Sequence, residues 1–217
     1  FELTYKALGP DLKIIAPWRE WKIFSREDAI AYAHAHNIPI EQTTANIYSR
    51  DRNIWHLSHE GGRLEDPVNA PEEAMWQWIV SPERAPDKPA EVEIGFEAGT
   101  PASVDGKRLG AGALLERLNE IAAAHGVGRI DLVENRLVGI KSREIYEAPA
   151  AVVLHLAHRA LEDMVLSKES LRFKERVASE YADLVYNGLW FSAHHQDLAA
   201  YVANTQRFVS GEIRVKL

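Results

Sequence analysis

Apolar positions recur along this chain in more than one rhythm, and each rhythm predicts a different element. Residues 1–8 read as the end of a helix that Gly9-Pro10 breaks. The apolar run 12–16 predicts a short buried strand, stopped at Pro17. Ser25 stands at an N-cap position with an acid, Asp28, three residues on, which predicts a helix running through His36. Asn37 should end it, with Pro39 beyond. Residues 41–75 have weak periodicity and read as loops with brief strands and turns. Residues 81–89 hold three prolines and four charges and read as a surface linker.

Further along the patterns sharpen. Residues 91–104 alternate apolar and polar, with Asp105-Gly106 as a hairpin turn signal. Leu114, Leu115, Leu118 and Ile121 mark an amphipathic helix. Two short apolar runs, 130–133 and 137–140, predict a hairpin entered through Gly126 and Gly128. Three helices follow: one carrying Val152, Leu156, Ala160 and Met164, a second over 168–186 ended by Gly188, and a third over about 195–208. Residues 212–217 alternate as a last strand. The predicted class is α+β, with hairpins first and a helical block late.

Composition narrows the chemistry. Of 217 residues 46% are hydrophobic and 26% charged, as in an ordinary soluble globular chain. No apolar run reaches the roughly 20 residues of a membrane span. A formal charge of −7 argues against nucleic acid, whose phosphates need clustered Lys and Arg. The absence of cysteine excludes disulfides, thiolate metal sites and Cys nucleophiles, and fits a reducing cytoplasm.

Polar groups concentrate in two places. In 48–62, Ser49 and Ser58 can offer hydroxyls to an uncharged polar group such as an amide or ureido. Serines near turns commonly bond their own backbone instead. Neither serine has a Ser-His-Asp arrangement, so neither is read as a nucleophile. In the hairpin, Glu134 sits at a strand-to-turn junction, with Tyr146 close after it. Glu134 either forms a surface salt bridge with Arg136 or Lys141 or accepts a ligand ammonium. The pairs His56/His59 and His155/His158 lack a third ligand and an H-E-x-x-H pattern, so no metal site is predicted. No phosphate-binding loop of the form G-x-x-x-x-G-K-[ST] occurs.

Five stretches taken in order, residues 15–21, 49–55, 126–141, 141–149 and 180–191, resemble argininosuccinate synthase. The run G-V-G-R-x-D-x-V-E-x-R-L-V-G-x-K-S-R is the most specific of them. The resemblance implies an ATP-dependent ligase that joins citrulline and aspartate, releasing AMP and pyrophosphate, in arginine biosynthesis and the urea cycle. By motif match it implies citrulline contacts at Ser49, Ser58, Glu134 and Tyr146, and no catalytic residue in this chain. It implies a homotetramer in the cytoplasm, with ATP and Mg held mainly by an N-terminal part. The family's S-G-G-L-D-T-S loop is absent here, and Phe1 resembles the last residue of a second family signature, G-x-T-x-K-G-N-D-x-x-R-F. The chain is therefore expected to be a downstream portion, without ATP turnover by itself. Residues 1–45 would be the tail of an α/β nucleotide-binding domain, and 46–217 the synthetase and multimerisation domain with a C-terminal helical arm. The alternative is a non-catalytic oligomerisation or scaffold module derived from the same family.

Overall fold

The computed structural model describes residues 2–40 and 48–217. The chain divides into two compact units, Phe1–Ser49 and Arg50–Leu217. The expected domain boundary at 45/46 lies outside the described residues, as does Phe1.

In the first unit, α1 (Glu2–Leu8) is followed by a single 3-10 turn at Pro17–Arg19 and by α2 (Arg26–Ala35). The start of α2 is the capping box that the sequence predicts. Ser25 Oγ accepts from the Asp28 N–H at 3.0 Å, and the Asp28 carboxylate accepts from the Ser25 N–H at 3.1 Å. Asn37 ends the helix in the left-handed region at φ 53°. Residues 12–16 form no strand, which corrects the expectation. Leu12 and Ile15 lie exposed, and among the described residues no strand pairs with them. An apolar run becomes a strand only when a partner supplies the ladder.

The remaining elements are β1 (Ser49–Arg52), β2 (Leu57–Glu60), β3 (Glu91–Glu97), β4 (Thr100–Val104), β5 (Lys107–Arg108) and α3 (Ala111–Ala124). Then come β6 (Arg129–Asn135), β7 (Lys141–Glu147), α4 (Pro149–Val165), α5 (Lys168–Tyr186), α6 (Ala193–Gln206) and β8 (Gly211–Lys216). They build two antiparallel sheets, ordered β1-β2-β7-β6 and β5-β4-β3-β8. The fold is thus mixed α+β, with six helices among the described residues.

The second sheet carries the main core. Its period-two pattern turns Val92, Ile94 and Phe96 inward, with Ile94 opposite Ile213 and Val92 opposite Val215. Leu114 and Leu118 of α3 and Val153, Ala157 and Leu161 of α4 cover that face. The predicted single alternating run 91–104 is two strands, because Ala98 and Gly99 turn with φ 46° and 78°. Alanine is a poor marker for such a turn, so the alternation concealed it. Asp105-Gly106 turns as expected, with φ 50° and 72°, into β5. Ser81, expected on a surface linker, is buried.

The hairpin of the first sheet differs from expectation in a way that matters. Residues 130–133 lie in β6, but 137–140 are not its partner. They form the turn, where Leu137, Val138 and Ile140 are exposed. The partner is the polar segment Lys141–Glu147, paired from Arg129↔Glu147 to Asn135↔Lys141. Ladder register outweighs local hydrophobicity here, because the polar side chains of β7 find charged partners on both faces. The late helices form as predicted, α5 and α6 each starting from a serine cap, Ser167 and Ser192. No helix among the described residues is long and apolar enough to cross a membrane.

Candidate functional site

The ladder sets which side chains meet. Ser58 on β2 stands opposite Tyr146 on β7, which stands opposite Ile130 on β6, while Glu134 stands opposite Ser142. Opposed residues on antiparallel strands share a face, and so do residues two apart. Ser58, Glu134, Ser142, Glu144 and Tyr146 therefore project from one side of the sheet, with Glu60 two places beyond Ser58. The Tyr146 hydroxyl donates to the Glu134 carboxylate. Burial, and then that carboxylate, hold the Tyr146 phenol above its usual range, so it remains a donor at neutral pH. Ser58 is buried and its hydroxyl donates to the Asp51 carbonyl at 3.4 Å. The His56 ring stands edge-on to Tyr146 at 5.1 Å. Three of the four groups singled out in the sequence thus share one face; the fourth, Ser49, belongs to the first unit and opens β1.

Beside them lies a charged cluster whose members the sequence places in two separate polar stretches without joining them. The Arg136 guanidinium donates to Glu60 at 2.8 Å, to the Ser142 hydroxyl at 3.2 Å and to Glu144. Ser142 donates in turn to Glu144 at 3.0 Å. No sequence spacing relates Glu60 to Arg136, and only the pairing of β2 with β7 brings them together. Burial, and then the neighbouring Glu60, push the Glu144 carboxyl up to about 7 against the pull of Ser142 and Arg136.

A raised folded-state pKa makes the protonated acid the better-folded form. Its stabilisation is complete below the ordinary value of 4.5 and is lost as pH rises through about 7. Glu144→Gln, which cannot ionise, is expected to remove that part of the decline. Melting temperatures of both proteins between pH 5 and 8 test this, and parallel slopes would count against it.

The opposite face of the sheet is structural. Glu147 and His59 are fully buried, with His59 Nε2 at 2.8 Å from the carboxylate. The carboxylate also accepts the backbone N–H groups of Gln77, Trp78 and Ile79 at 2.7–2.9 Å. Arg50 Nε donates to His59 Nδ1 at 3.1 Å, which leaves the proton of a neutral ring on Nε2. Alongside, Arg129 grips Glu73 with two hydrogen bonds at 2.7 and 2.8 Å, and Arg143 grips Asp131 at 2.9 and 2.7 Å. Among the described residues no group of three or more His, Asp or Glu is placed to hold a metal ion. His155 instead meets Trp55 edge-on at 6.0 Å, and His158 reaches Gln206 at 2.8 Å.

A face offering a carboxylate, a phenol and a buried alcohol has the donors and acceptors to hold an amino-acid ligand with a neutral polar tail. Residues 48–217 match the family model described as the arginosuccinate synthase C-terminal domain. Residues 1–39 match the one described as the arginosuccinate synthase N-terminal HUP domain. Argininosuccinate synthase of Roseiflexus sp. (strain RS-1) is 58% identical over 217 residues, which is 100% of this chain and 53% of that protein. The enzyme of Moorella thermoacetica is 56% identical, again over 100% of this chain and 53% of its own length. The chain spans about half the length of the curated relatives it matches. Matched by family models on both sides of residues 40–47 and more than half identical to these relatives from end to end, the chain belongs to the argininosuccinate synthase family.

Proposed function

We propose that this chain is the citrulline-binding half of an enzyme that makes argininosuccinate from citrulline and aspartate at the expense of ATP. In this reading the ureido oxygen of citrulline attacks the α-phosphate of ATP and pyrophosphate leaves. The amine of aspartate then attacks the activated ureido carbon, and AMP departs. The weak ureido nucleophile must be held in line with the phosphate, so the protein's contribution is chiefly positioning. Glu134 takes the ligand ammonium, Tyr146 orients Glu134 and offers its phenol, and Ser58 and Ser49 serve the polar remainder of citrulline. Residues 1–45 are assigned to the nucleotide-binding domain and 46–217 to the synthetase and multimerisation domain. ATP and Mg are assigned mainly to the part of the relatives' length that this chain does not span. A cytoplasmic homotetramer is proposed as well, supported by exposed apolar side chains on the late helices such as Met164, Phe173 and Val185.

One observation carries the substrate assignment: Glu134 and Tyr146 are hydrogen-bonded to each other on the sheet face that also bears Ser58. In the full-length protein Glu134→Gln should weaken citrulline binding by about 10- to 100-fold, the loss of a desolvated charge-assisted contact. Tyr146→Phe should weaken it by about 5-fold, one neutral hydrogen bond. Citrulline titration by calorimetry, beside the steady-state constants, measures both. Unchanged citrulline constants in both variants would remove the assignment.

A further inference from the structure

We propose that Arg136 is a positioning residue, clamping β2 to β7 so that Ser58 stays in register with the Glu134–Tyr146 pair. The inference rests on the citrulline reading given above and adds a group that touches no substrate.

The two seams of this sheet are unequal. β6 and β7 pair over seven residues, from Arg129↔Glu147 to Asn135↔Lys141. β2 and β7 pair over only three, Leu57↔Glu147, Ser58↔Tyr146 and His59↔Ile145. The short seam nevertheless divides the site, with Ser58 on one side and Tyr146 and Glu134 on the other. Each face of the sheet carries a side-chain tie across it. On the far face His59 of β2 meets Glu147 of β7. On the ligand face, Glu60 of β2 and Glu144 of β7 meet across the seam, and when both are ionised they repel each other. Arg136 supplies the missing charge, reaching back from the β6–β7 turn to both carboxylates and to Ser142.

The turn holds Arg136 in place for this. Its N–H donates to the Ile140 carbonyl and its own carbonyl accepts from Gly139, each at 2.8 Å. Glu134 lies two residues before Arg136 on the same strand-to-turn path and faces Ser142, which Arg136 also contacts. Without the guanidinium, two carboxylates would confront each other across the seam, one of them with a side chain only 5% exposed. Like charges at such a site separate or take up a proton, and either response moves β2 relative to β7. A plain surface ion pair would leave ligand geometry untouched; one laid across the seam that divides the site would not.

Steady-state kinetics of full-length protein with Arg136→Met and Arg136→Lys provides the test, with Glu134→Gln run in parallel and melting temperature recorded for each. Arg136→Met should raise the KM for citrulline by about tenfold, the scale of a small misplacement of binding groups, while the KM for ATP and for aspartate hold within about twofold. Arg136→Lys keeps the charge but loses the fork and should recover most of the loss, leaving a rise of about threefold. Should Arg136→Met fail to fold, that selective threefold rise in the Lys variant decides. Citrulline KM unchanged in Arg136→Met, or all three KM values rising alike while kcat and the melting temperature fall, would overturn the positioning role. Should Glu134→Gln also leave the citrulline KM unaltered, it is the substrate assignment that fails. Should Glu134→Gln raise it while Arg136→Met does not, only the clamp is lost.

Discussion

Gly128→Ala is expected to lower the melting temperature of the full-length protein by on the order of 10 °C, whereas Gly139→Ala should lower it by only a few degrees. Both glycines have positive φ, 110° and 86°. They differ in what surrounds them. A Cβ at Gly128 would lie 2.6 Å from Cα and N of Pro149 and 2.9 Å from the carbonyl carbon of Ala148, whereas one at Gly139 meets nothing within 4 Å. The atoms at Gly128 are all backbone, so no rotamer can make room. The Gly128 carbonyl also accepts the Ala148 N–H at 2.9 Å, which docks the entry of β6 on the start of α4. Alanine at 139 therefore suffers only the conformational penalty, roughly 1–2 kcal/mol. At 128 it adds about 1–3 kcal/mol of overpacking, and relief comes only by shifting α4, whose Ala150, Val153 and Leu161 build the core. Equal losses in the two variants, read by thermal or denaturant unfolding, would show that this close approach does not matter.

The same glycines show what a sequence discloses and what it withholds. Gly126 and Gly128 stand out in the chain as an entry to a hairpin, but nothing in the order of residues says that Pro149 lies against one of them. Local rules served well where the cause is local. The Ser25–Asp28 box, the cap at Ser167 and the Asp105-Gly106 turn all depend on residues a few places apart, and all form. Where the cause is a partner strand, they misled. The run 12–16 has none among the described residues, and 137–140 proved more apolar than the true strand 141–147 beside it. Ser58, Glu134 and Tyr146 stand out in the sequence because hydroxyls and acids beside strand ends carry a recognisable chemical signature and a family resemblance, and the strand pairing puts them on one face. Glu60, Arg136 and Glu144 carry no such signature, since each alone reads as a solvated surface charge. Their joint meaning exists only across the β2–β7 pairing.

Glu147→Gln is expected to destabilise the folded protein by about 3–5 kcal/mol, as breaking a buried, fully hydrogen-bonded charge does. The exchange is nearly isosteric, so the cost comes from hydrogen-bond chemistry rather than from volume. Both carboxylate oxygens are saturated by donors. One accepts from His59 Nε2 and the Gln77 N–H at 2.8 Å each, and the other from the N–H groups of Trp78 and Ile79 at 2.7 and 2.9 Å. An amide has one acceptor oxygen, so in either orientation its NH2 faces two donors. His59 cannot yield by switching tautomer, because its Nδ1 is already committed to Arg50 Nε. Acid should narrow the difference between the two proteins. Burial pushes the Glu147 carboxyl up, but His59 and the three N–H groups outweigh it and hold the carboxyl below its ordinary 4.5. A group with a depressed folded pKa stabilises fully above the unfolded value and loses that contribution as pH falls through the folded one. The wild-type protein should therefore give up its advantage over Glu147→Gln progressively below pH 4.5, while at pH 7 the advantage stands complete. Denaturant unfolding of both proteins at pH 7 and at successively lower pH measures this. A variant as stable as wild type at pH 7 would mean that the 77–79 backbone does not depend on this carboxylate, and an advantage that stays constant into acid would mean that its charge does not matter.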